Sequence, residues 1–199
     1  HRSMTKIIAI EGADMRGKST QLLYLKNSLD GFGYKTVSLK APFKDSVTGK
    51  LIYKMLENGS CKKWPTLFQV LQFINKKSFL FRNKKLFRNM DFVLLDRWHL
   101  SAQVYGFALG ANMKFLNFLE NCFPLPKADL TVVIHGKPYS RATSDSVDSE
   151  IDLQDRIQAL YLAKAAVQPD MFVNVSNEGS IEVIQSRILT MLSYKNILF

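Results

Sequence analysis

The segment Ile7–Gln21, which reads IIAIEGADMRGKSTQ, limits the possible folds of this chain more than any other part. It contains the pattern G-x-x-x-x-G-K-S between an apolar, β-branched run and a helix-forming sequence. A glycine turn in that context points several backbone N–H groups and the positive end of a helix dipole at one place, which suits a phosphate. The segment therefore predicts a phosphate-binding loop between a buried strand and a helix.

Each position of the pattern has a chemical reason. Gly12 and Gly17 stand where a side chain would block the approach of a phosphate. Lys18 can reach the β and γ phosphates, and Ser19, followed by Thr20, can offer its hydroxyl to Mg²⁺. An ordinary glycine turn with a surface lysine is the alternative, but the flanking strand and helix favour a nucleoside-triphosphate site.

Short apolar runs alternate with longer helical patterns along the chain, which is typical of a parallel sheet covered by helices. Strands, each buried on both faces, are predicted at 6–11, 35–39, 92–95, 130–135 and 172–175. Helices are predicted at 18–32, 46–58, 65–88, 101–109, 113–121, 153–167 and 180–192. We expect one α/β domain over residues 5–199, with residues 1–4 as an expression scar and the polar stretch 137–152 as a loop.

The formal net charge of +10 suits a nucleic-acid binder, a protein that handles small anions, or a well-solvated surface. The lysines form no long run, and no RNA-binding or zinc-finger signature accompanies them, so nucleic-acid binding is not expected as the main role. No apolar run approaches the roughly 20 residues of a membrane span. We therefore expect a soluble, cytoplasmic protein without a membrane partner.

A second motif, FVLLDRWHLSAQVY, covers Phe92–Tyr105 and begins with a predicted buried strand. In a phosphate-loop fold, a carboxylate at the end of this strand reaches the magnesium ion, directly or through water, so Asp96 joins Ser19 as a predicted metal group. A solvated turn residue is the alternative. Arg97 favours the functional interpretation, because its guanidinium would lie at the ligand-binding edge of the sheet and could bind a second phosphate.

The stretches IEGADMRGKSTQ, KAPFKDSVTGKLI and FVLLDRWHLSAQVY together resemble the thymidylate kinase family of P-loop nucleoside monophosphate kinases. The resemblance runs through most of the chain. It implies an α/β P-loop NTPase fold with a five-stranded parallel sheet of order 2-3-1-4-5, and a short lid at 137–152. It also implies transfer of the γ-phosphoryl group of ATP, with Mg²⁺, to a deoxynucleoside monophosphate, first of all dTMP, by a homodimer.

The resemblance assigns substrate contacts by position. Asp14 would hold the sugar 3′-hydroxyl, and Lys44 and Arg97 would bind the phosphate of the acceptor. Ser101 belongs to the same substrate-binding group. Tyr105 would lie against the deoxyribose and help to exclude a 2′-hydroxyl, although plain core packing stays open for its ring.

The expected base pocket departs from the family. Phe73 would stack on the base, and Lys77, four residues later on the same helix face, would reach the base edge where relatives usually have arginine. Core packing of Phe73 and a solvated Lys77 remain alternatives. Because an ammonium group imposes less geometry than a planar guanidinium, we expect relaxed pyrimidine selectivity.

Phosphoryl transfer needs positive charge over the moving group, which relatives supply from an arginine in the phosphate loop or in the lid. We expect Arg16 of the loop to supply it, with Arg141 of the acidic lid second. Together with Lys18, Asp96 and Arg97, these residues form the predicted catalytic group.

Two other functions stay open. A deoxynucleoside kinase would share the phosphate loop, but it needs a carboxylate near the end of the second strand to accept a proton from the 5′-hydroxyl. The stretch Lys40–Lys44 is cationic at that place, and Asp45 comes one residue late. A catalytically silent nucleotide-binding protein of the same fold is the second alternative.

Overall fold

The computed structural model describes residues 4–139 and 147–198. Within them, five strands form one parallel sheet in the order β2-β3-β1-β4-β5. The strands are β1 (Lys6–Glu11), β2 (Thr36–Lys40), β3 (Phe92–Asp96), β4 (Leu130–His135) and β5 (Phe172–Ser176). The predicted order 2-3-1-4-5 is therefore confirmed. Residues 140–146 of the predicted lid, Arg141 among them, lie outside the described residues.

Helices connect the strands and cover the sheet. They are α1 (Lys18–Gly31), α2 (Val47–Glu57), α3 (Ser60–Lys63), α4 (Pro65–Arg82), α5 (Lys84–Asn89), α6 (His99–Ala108), α7 (Met113–Cys122), α8 (Val147–Val167) and α9 (Ile181–Tyr194). Over the described ranges, none of these helices is both long and apolar enough to cross a membrane.

The helices differ from the prediction in three larger respects, besides shifts of one or two residues at other ends. The helix expected over 65–88 is two helices, because Asn83 leaves the helical conformation and its side-chain amide donates to the carbonyl of Phe79 at 2.9 Å. Helix α3 was not predicted. Helix α8 begins at Val147, six residues before the predicted start. The prediction was late because the polar residues in this stretch are typical of a loop.

The prediction that every strand is buried on both faces holds for β1, β3 and β4, which occupy the middle of the sheet. It is wrong for β2 and β5, which lie at the two edges and leave several residues partly exposed. One face of the sheet packs with α1 and α9 around residues such as Ile8 and Leu94. The opposite face packs around residues such as Val93 and Leu95.

The strand register brings the candidate residues to one edge of the sheet. Asp96 at the end of β3 pairs with Ile10 of β1 on one side and with Lys40 of β2 on the other. The loop after β1 and the residues after β3 therefore leave the sheet side by side. This carboxyl edge is where ligands bind in open parallel sheets.

Candidate active site

The phosphate loop has the predicted form, a turn between strand β1 and helix α1. Gly12 and Gly17 adopt φ angles of 144° and 86°, in the region that favours glycine. A Cβ atom on Gly12 would lie 2.4 Å from the carbonyl oxygen of Ile134. A Cβ atom on Gly17 would lie 2.5 Å from the Tyr139 ring. Both glycines are therefore required by the backbone and its close neighbours.

Lys18 lies inside the loop with 7% of its surface exposed, and its Nζ donates to the carbonyl of Ala13 at 2.7 Å. Burial, followed by the charge of Arg97, lowers the pKa of Lys18 to about 8. A lysine in this position is already desolvated and surrounded by the loop backbone. It can bind an anion without first leaving bulk water.

Ser19 and Asp96 form the predicted metal group. The Ser19 hydroxyl donates to Oδ2 of Asp96 at 3.0 Å. Asp96 is 3% exposed, and its Oδ1 atom has no hydrogen-bond partner in the part of the chain that the structure describes. A buried carboxylate oxygen left without a donor, next to a hydroxyl, is an oxygen ligand set of the kind that Mg²⁺ takes. The residues therefore fit the ion.

Arg97 is held in one orientation beside the loop. Its backbone has a positive φ of 65°, and its N–H donates to the carbonyl of Ile10 at 3.0 Å. Its guanidinium donates to the carbonyl of Gly12 at 3.3 Å and forms an ion pair with Asp14. The guanidinium carbon lies 5.0 Å from the centre of the Tyr105 ring. Three predicted substrate contacts, Asp14, Arg97 and Tyr105, are thus brought together.

The sequence analysis missed Glu11, whose carboxylate is fully buried at the end of β1. It accepts the backbone N–H of Trp98 at 2.7 Å and that of Ser101 at 3.2 Å. It also accepts from the Ser101 hydroxyl and, at 3.2 Å, from the hydroxyl of Tyr161. A buried carboxylate is stable only with such donors. Glu11 therefore fixes the start of α6, two residues after Arg97.

Two predicted residues are tied into this network. Ser101 bonds both Glu11 and, at 2.7 Å, the hydroxyl of Tyr161, so it contributes to the scaffold of the site. Tyr105 donates to Oδ1 of Asp14 at 3.4 Å, and burial raises its pKa to about 12. The phenol is therefore neutral at physiological pH and acts as a hydrogen-bond donor.

Lys44 lies in the loop after β2. Its side chain is exposed, with Nζ 4.4 Å from the centre of the Tyr53 ring. Both residues line a recess of about 460 Å³. The loop is anchored by Asn75, which accepts from the N–H of Phe43 at 2.7 Å and donates to its carbonyl at 2.9 Å. Lys44 is thus an exposed cation on an anchored loop.

Helix α4 presents Lys76, and not Lys77, to the start of α6. Lys76 is 2% exposed, and its Nζ donates to the carbonyl of Trp98 at 2.8 Å. Lys77 points elsewhere and donates to the carbonyl of Pro124 at 2.6 Å. Phe73 is half-buried and packs against the core cluster that contains Trp98. The structure therefore does not bring Lys77 together with the other predicted substrate contacts.

Arg16 is 2% exposed and faces helix α8. Its guanidinium donates to the carbonyl of Asp14 at 2.8 Å and to the side-chain carbonyl of Gln158 at 3.1 Å. Gln154, one turn before Gln158, accepts the N–H of Asp14 at 2.9 Å and donates to its carboxylate at 3.2 Å. These α8 contacts were missed, because they join parts of the chain about 140 residues apart.

A family model for thymidylate kinase matches residues 10–188. The chain belongs to the thymidylate kinase family. The predicted resemblance is thereby confirmed over most of the chain. Family members are nucleoside monophosphate kinases, which accords with a phosphate loop next to a second cationic group.

Sequence relatives agree with this family. The chain is 27% identical to probable thymidylate kinase 1 of Saccharolobus solfataricus, over 93% of this chain and 96% of the relative. It is 24% identical to thymidylate kinase of Schizosaccharomyces pombe, over 96% of this chain and 93% of the relative.

Solved structures confirm the P-loop fold class. Thymidylate kinase of Candida albicans superposes with a TM-score of 0.76 at 22% identity, covering 97% of this chain and 93% of that one. Thymidylate kinase of Ehrlichia chaffeensis gives a TM-score of 0.73 at 14% identity, covering 96% of this chain and 100% of that one.

Proposed function

We propose that this chain transfers the γ-phosphoryl group of ATP to dTMP, giving ADP and dTDP. The observation that carries the proposal is the placement of Arg97, whose guanidinium is ion-paired with Asp14 of the phosphate loop. A cation fixed at that point provides a second phosphate site directly beside the donor site. The family match supports the same activity.

The donor side is formed by residues 12–20. Backbone N–H groups of the loop, the start of α1 and Lys18 bind the ATP phosphates, with Thr20 next to Ser19 at the start of the helix. Ser19 and Asp96 would hold Mg²⁺, which when bound neutralises charge on the β and γ phosphates. Among residues 4–139 and 147–198, the buried Oδ1 atom of Asp96 has no hydrogen-bond partner, which supports that assignment.

On the acceptor side, Arg97 and Lys44 bind the phosphate of dTMP, while Asp14 and Tyr105 contact the sugar. An oxygen of the acceptor phosphate forms a bond to the γ-phosphorus of ATP as the bond to the β–γ bridging oxygen breaks. That oxygen is already anionic, so no side chain has to remove a proton. A nucleoside kinase does need such a base, and Asp45 is exposed beside Lys44, which makes it a poor one.

Arg16 is proposed to supply positive charge to the phosphoryl group during transfer, with Arg141 as the second candidate. Support for Arg16 comes from its place in the loop, one residue before Gly17 and two before Lys18. Removing a required arginine lowers turnover by on the order of 10³ or more in related phosphoryl transfers. Unequal losses in Arg16→Ala and Arg141→Ala therefore identify the residue responsible.

We also propose relaxed pyrimidine selectivity. Lys77 stands where relatives usually have arginine, and its Nζ donates to the carbonyl of Pro124. Without a planar guanidinium at that position, we expect weak discrimination between bases. The structural neighbour from Candida albicans is described as having broad substrate specificity. Turnover of dUMP beside dTMP is the expected result, with deoxyribose preferred to ribose because Tyr105 lies against the sugar.

A homodimer through the helices that flank β3 is part of the proposal. On α4, Leu67, Ile74 and Phe81 are spaced seven residues apart and are 51%, 42% and 72% exposed. Residues at this spacing share one helix face, so they form an apolar stripe. Phe115 and Phe118 of α7 are exposed as well. Sedimentation at micromolar concentration tests the dimer, and a monomer would contradict it.

An ADP-release assay over the common nucleoside monophosphates and the free nucleosides tests the activity. We expect turnover of dTMP and none of thymidine. The result that overturns the proposal is turnover of thymidine without turnover of dTMP. Absence of turnover with every acceptor, despite ATP binding, would instead indicate a silent nucleotide-binding protein.

A further inference from the structure

Helix α8 holds the phosphate loop through side chains spaced along one of its faces. Gln154 binds both the backbone and the carboxylate of Asp14. Gln158, one turn later, binds the guanidinium of Arg16. Tyr161, almost one turn further, reaches the Glu11 carboxylate. These three side chains are polar, although they lie on a helix face that packs against the protein. Polar groups in such a place are retained for the hydrogen bonds that they form.

The side-chain oxygen of Gln158 forms two hydrogen bonds, one to the sheet and one to Arg16. Its carbonyl oxygen accepts the N–H of Gly136, just after β4, at 2.9 Å and the Nε–H of Arg16 at 3.1 Å. The first bond ties the amide to the sheet. The second ties the guanidinium to the amide. The Gln158 side chain therefore connects the Arg16 guanidinium to the end of the sheet.

Asp155 offers a useful contrast on the same helix. It lies 3.6 Å from the Arg16 guanidinium, but its side chain is 66% exposed. An exposed ion pair at that distance is screened by solvent and has little effect on position. A hydrogen bond between a buried guanidinium and an anchored carbonyl is stronger and directional. Two contacts to the same group should therefore differ greatly in their effect.

We propose that Gln158 is a positioning residue that holds the Arg16 guanidinium in the orientation used for phosphoryl transfer. The inference rests on the proposed function, in which Arg16 supplies charge to the moving phosphoryl group. Arginine has several rotatable bonds, so a guanidinium that is not held samples many positions. Fixing it in advance raises turnover and leaves ground-state binding of both substrates unchanged.

The test compares kcat and the two KM values in single variants. Gln158→Met keeps the length of the side chain and removes the amide oxygen, so kcat should fall by about 10- to 100-fold with both KM values within about threefold. Gln158→Glu keeps an oxygen for both donors and should retain most of the activity. Asp155→Asn is the matched control, with kcat within about twofold.

A double-variant cycle with Arg16→Ala separates positioning from general damage. If Gln158 acts through Arg16, then Gln158→Met lowers kcat no further once Arg16 is absent. Multiplicative losses would overturn the proposal, as would an unchanged kcat in Gln158→Met alone. If thermal unfolding shows that Gln158→Met does not fold, Gln158→Asn replaces it in the experiment. The shorter side chain moves the amide oxygen away from Arg16, so the same fall in kcat is expected.

A measurement independent of activity distinguishes failure of the contact from failure of the proposed function. In a ¹H–¹⁵N NMR spectrum, the Nε–H signal of Arg16, assigned with Arg16→Lys, should be protected from exchange in the wild-type protein. It should broaden or disappear in Gln158→Met and persist in Asp155→Asn. An unprotected wild-type signal overturns the contact. A protected signal together with full activity in Arg16→Ala overturns the catalytic role assigned to Arg16, and with it the positioning role.

Discussion

The carboxyl edge of the sheet and the inner face of helix α4 hold their charged side chains in different ways. At the sheet edge, cations and carboxylates are fixed by the backbone of the phosphate loop and by buried Glu11. On α4, two adjacent lysines point in different directions. Lys76 is buried and donates to the carbonyl of Trp98, whereas Lys77 donates to the carbonyl of Pro124. The geometry of the sheet edge therefore depends on contiguous backbone, whereas the direction of each α4 lysine depends on the rotation of one helix.

The largest effect is expected on the phosphate side. Lys18→Ala should reduce turnover by on the order of a thousandfold, because it removes the buried charge that faces the donor phosphates. The midpoint of thermal unfolding should not fall, since a desolvated lysine adds little to folding stability.

Lys26→Ala is the matched control for that experiment, because Lys26 lies on the same helix and forms an exposed pair with Asp30. Its turnover should stay within about twofold of the wild-type value. Wild-type activity in Lys18→Ala would remove the donor site from residues 12–20.

The second effect concerns the buried lysine of α4. Burial lowers the pKa of Lys76 from 10.5 to about 8. Below pH 8 both the folded and the unfolded chain hold the proton, whereas between about pH 8 and 10.5 only the unfolded chain does. Because the unfolded chain then binds more protons, stability rises with pH over this window.

We expect the free energy of unfolding of the wild-type protein to gain about 3 kcal/mol over that window relative to Lys76→Met. Urea unfolding at several pH values measures it. Lys77→Met is the control and should keep the wild-type slope. An identical pH dependence in Lys76→Met and the wild-type protein would show that Lys76 is not buried as described.

The smallest effect is expected for Lys77 itself. Its Nζ bonds the carbonyl of Pro124, away from Arg97, so Lys77→Ala should change the KM for dTMP by no more than about twofold. Steady-state kinetics with dTMP as the varied substrate provide the measurement. A tenfold rise in this KM, with the KM for ATP unchanged, would instead support Lys77 at the base edge.

The difference between the two regions also explains what the sequence could predict. The glycine pattern, Asp96 and Arg97 were found because parallel strands bring their carboxyl ends to one edge, whatever the details of packing. Choosing Lys77 required the rotation of α4 to within one residue, or about 100° around the helix. Spacing from Phe73 could not decide that rotation, because it depends on how α4 packs on β3 and α6.

Long-range contacts could not be predicted from the sequence, because they also depend on how distant elements pack. Glu11 was visible as an acid at the end of an apolar strand, but its partners Trp98 and Tyr161 are about 90 and 150 residues away. Gln158 gave no local signal, since one glutamine on a helix is usually solvated. Its role follows only from the packing of α8 against the loop.

The account depends most on recognition of the acceptor by its phosphate, and calorimetric binding of dTMP and of thymidine tests this directly. Each charge-assisted hydrogen bond contributes about 1.5–3 kcal/mol, so dTMP should bind the wild-type protein at least about a hundredfold more tightly than thymidine. In Arg97→Ala the ratio should fall to about tenfold or less. Equal affinities for dTMP and thymidine in the wild-type protein would contradict the account.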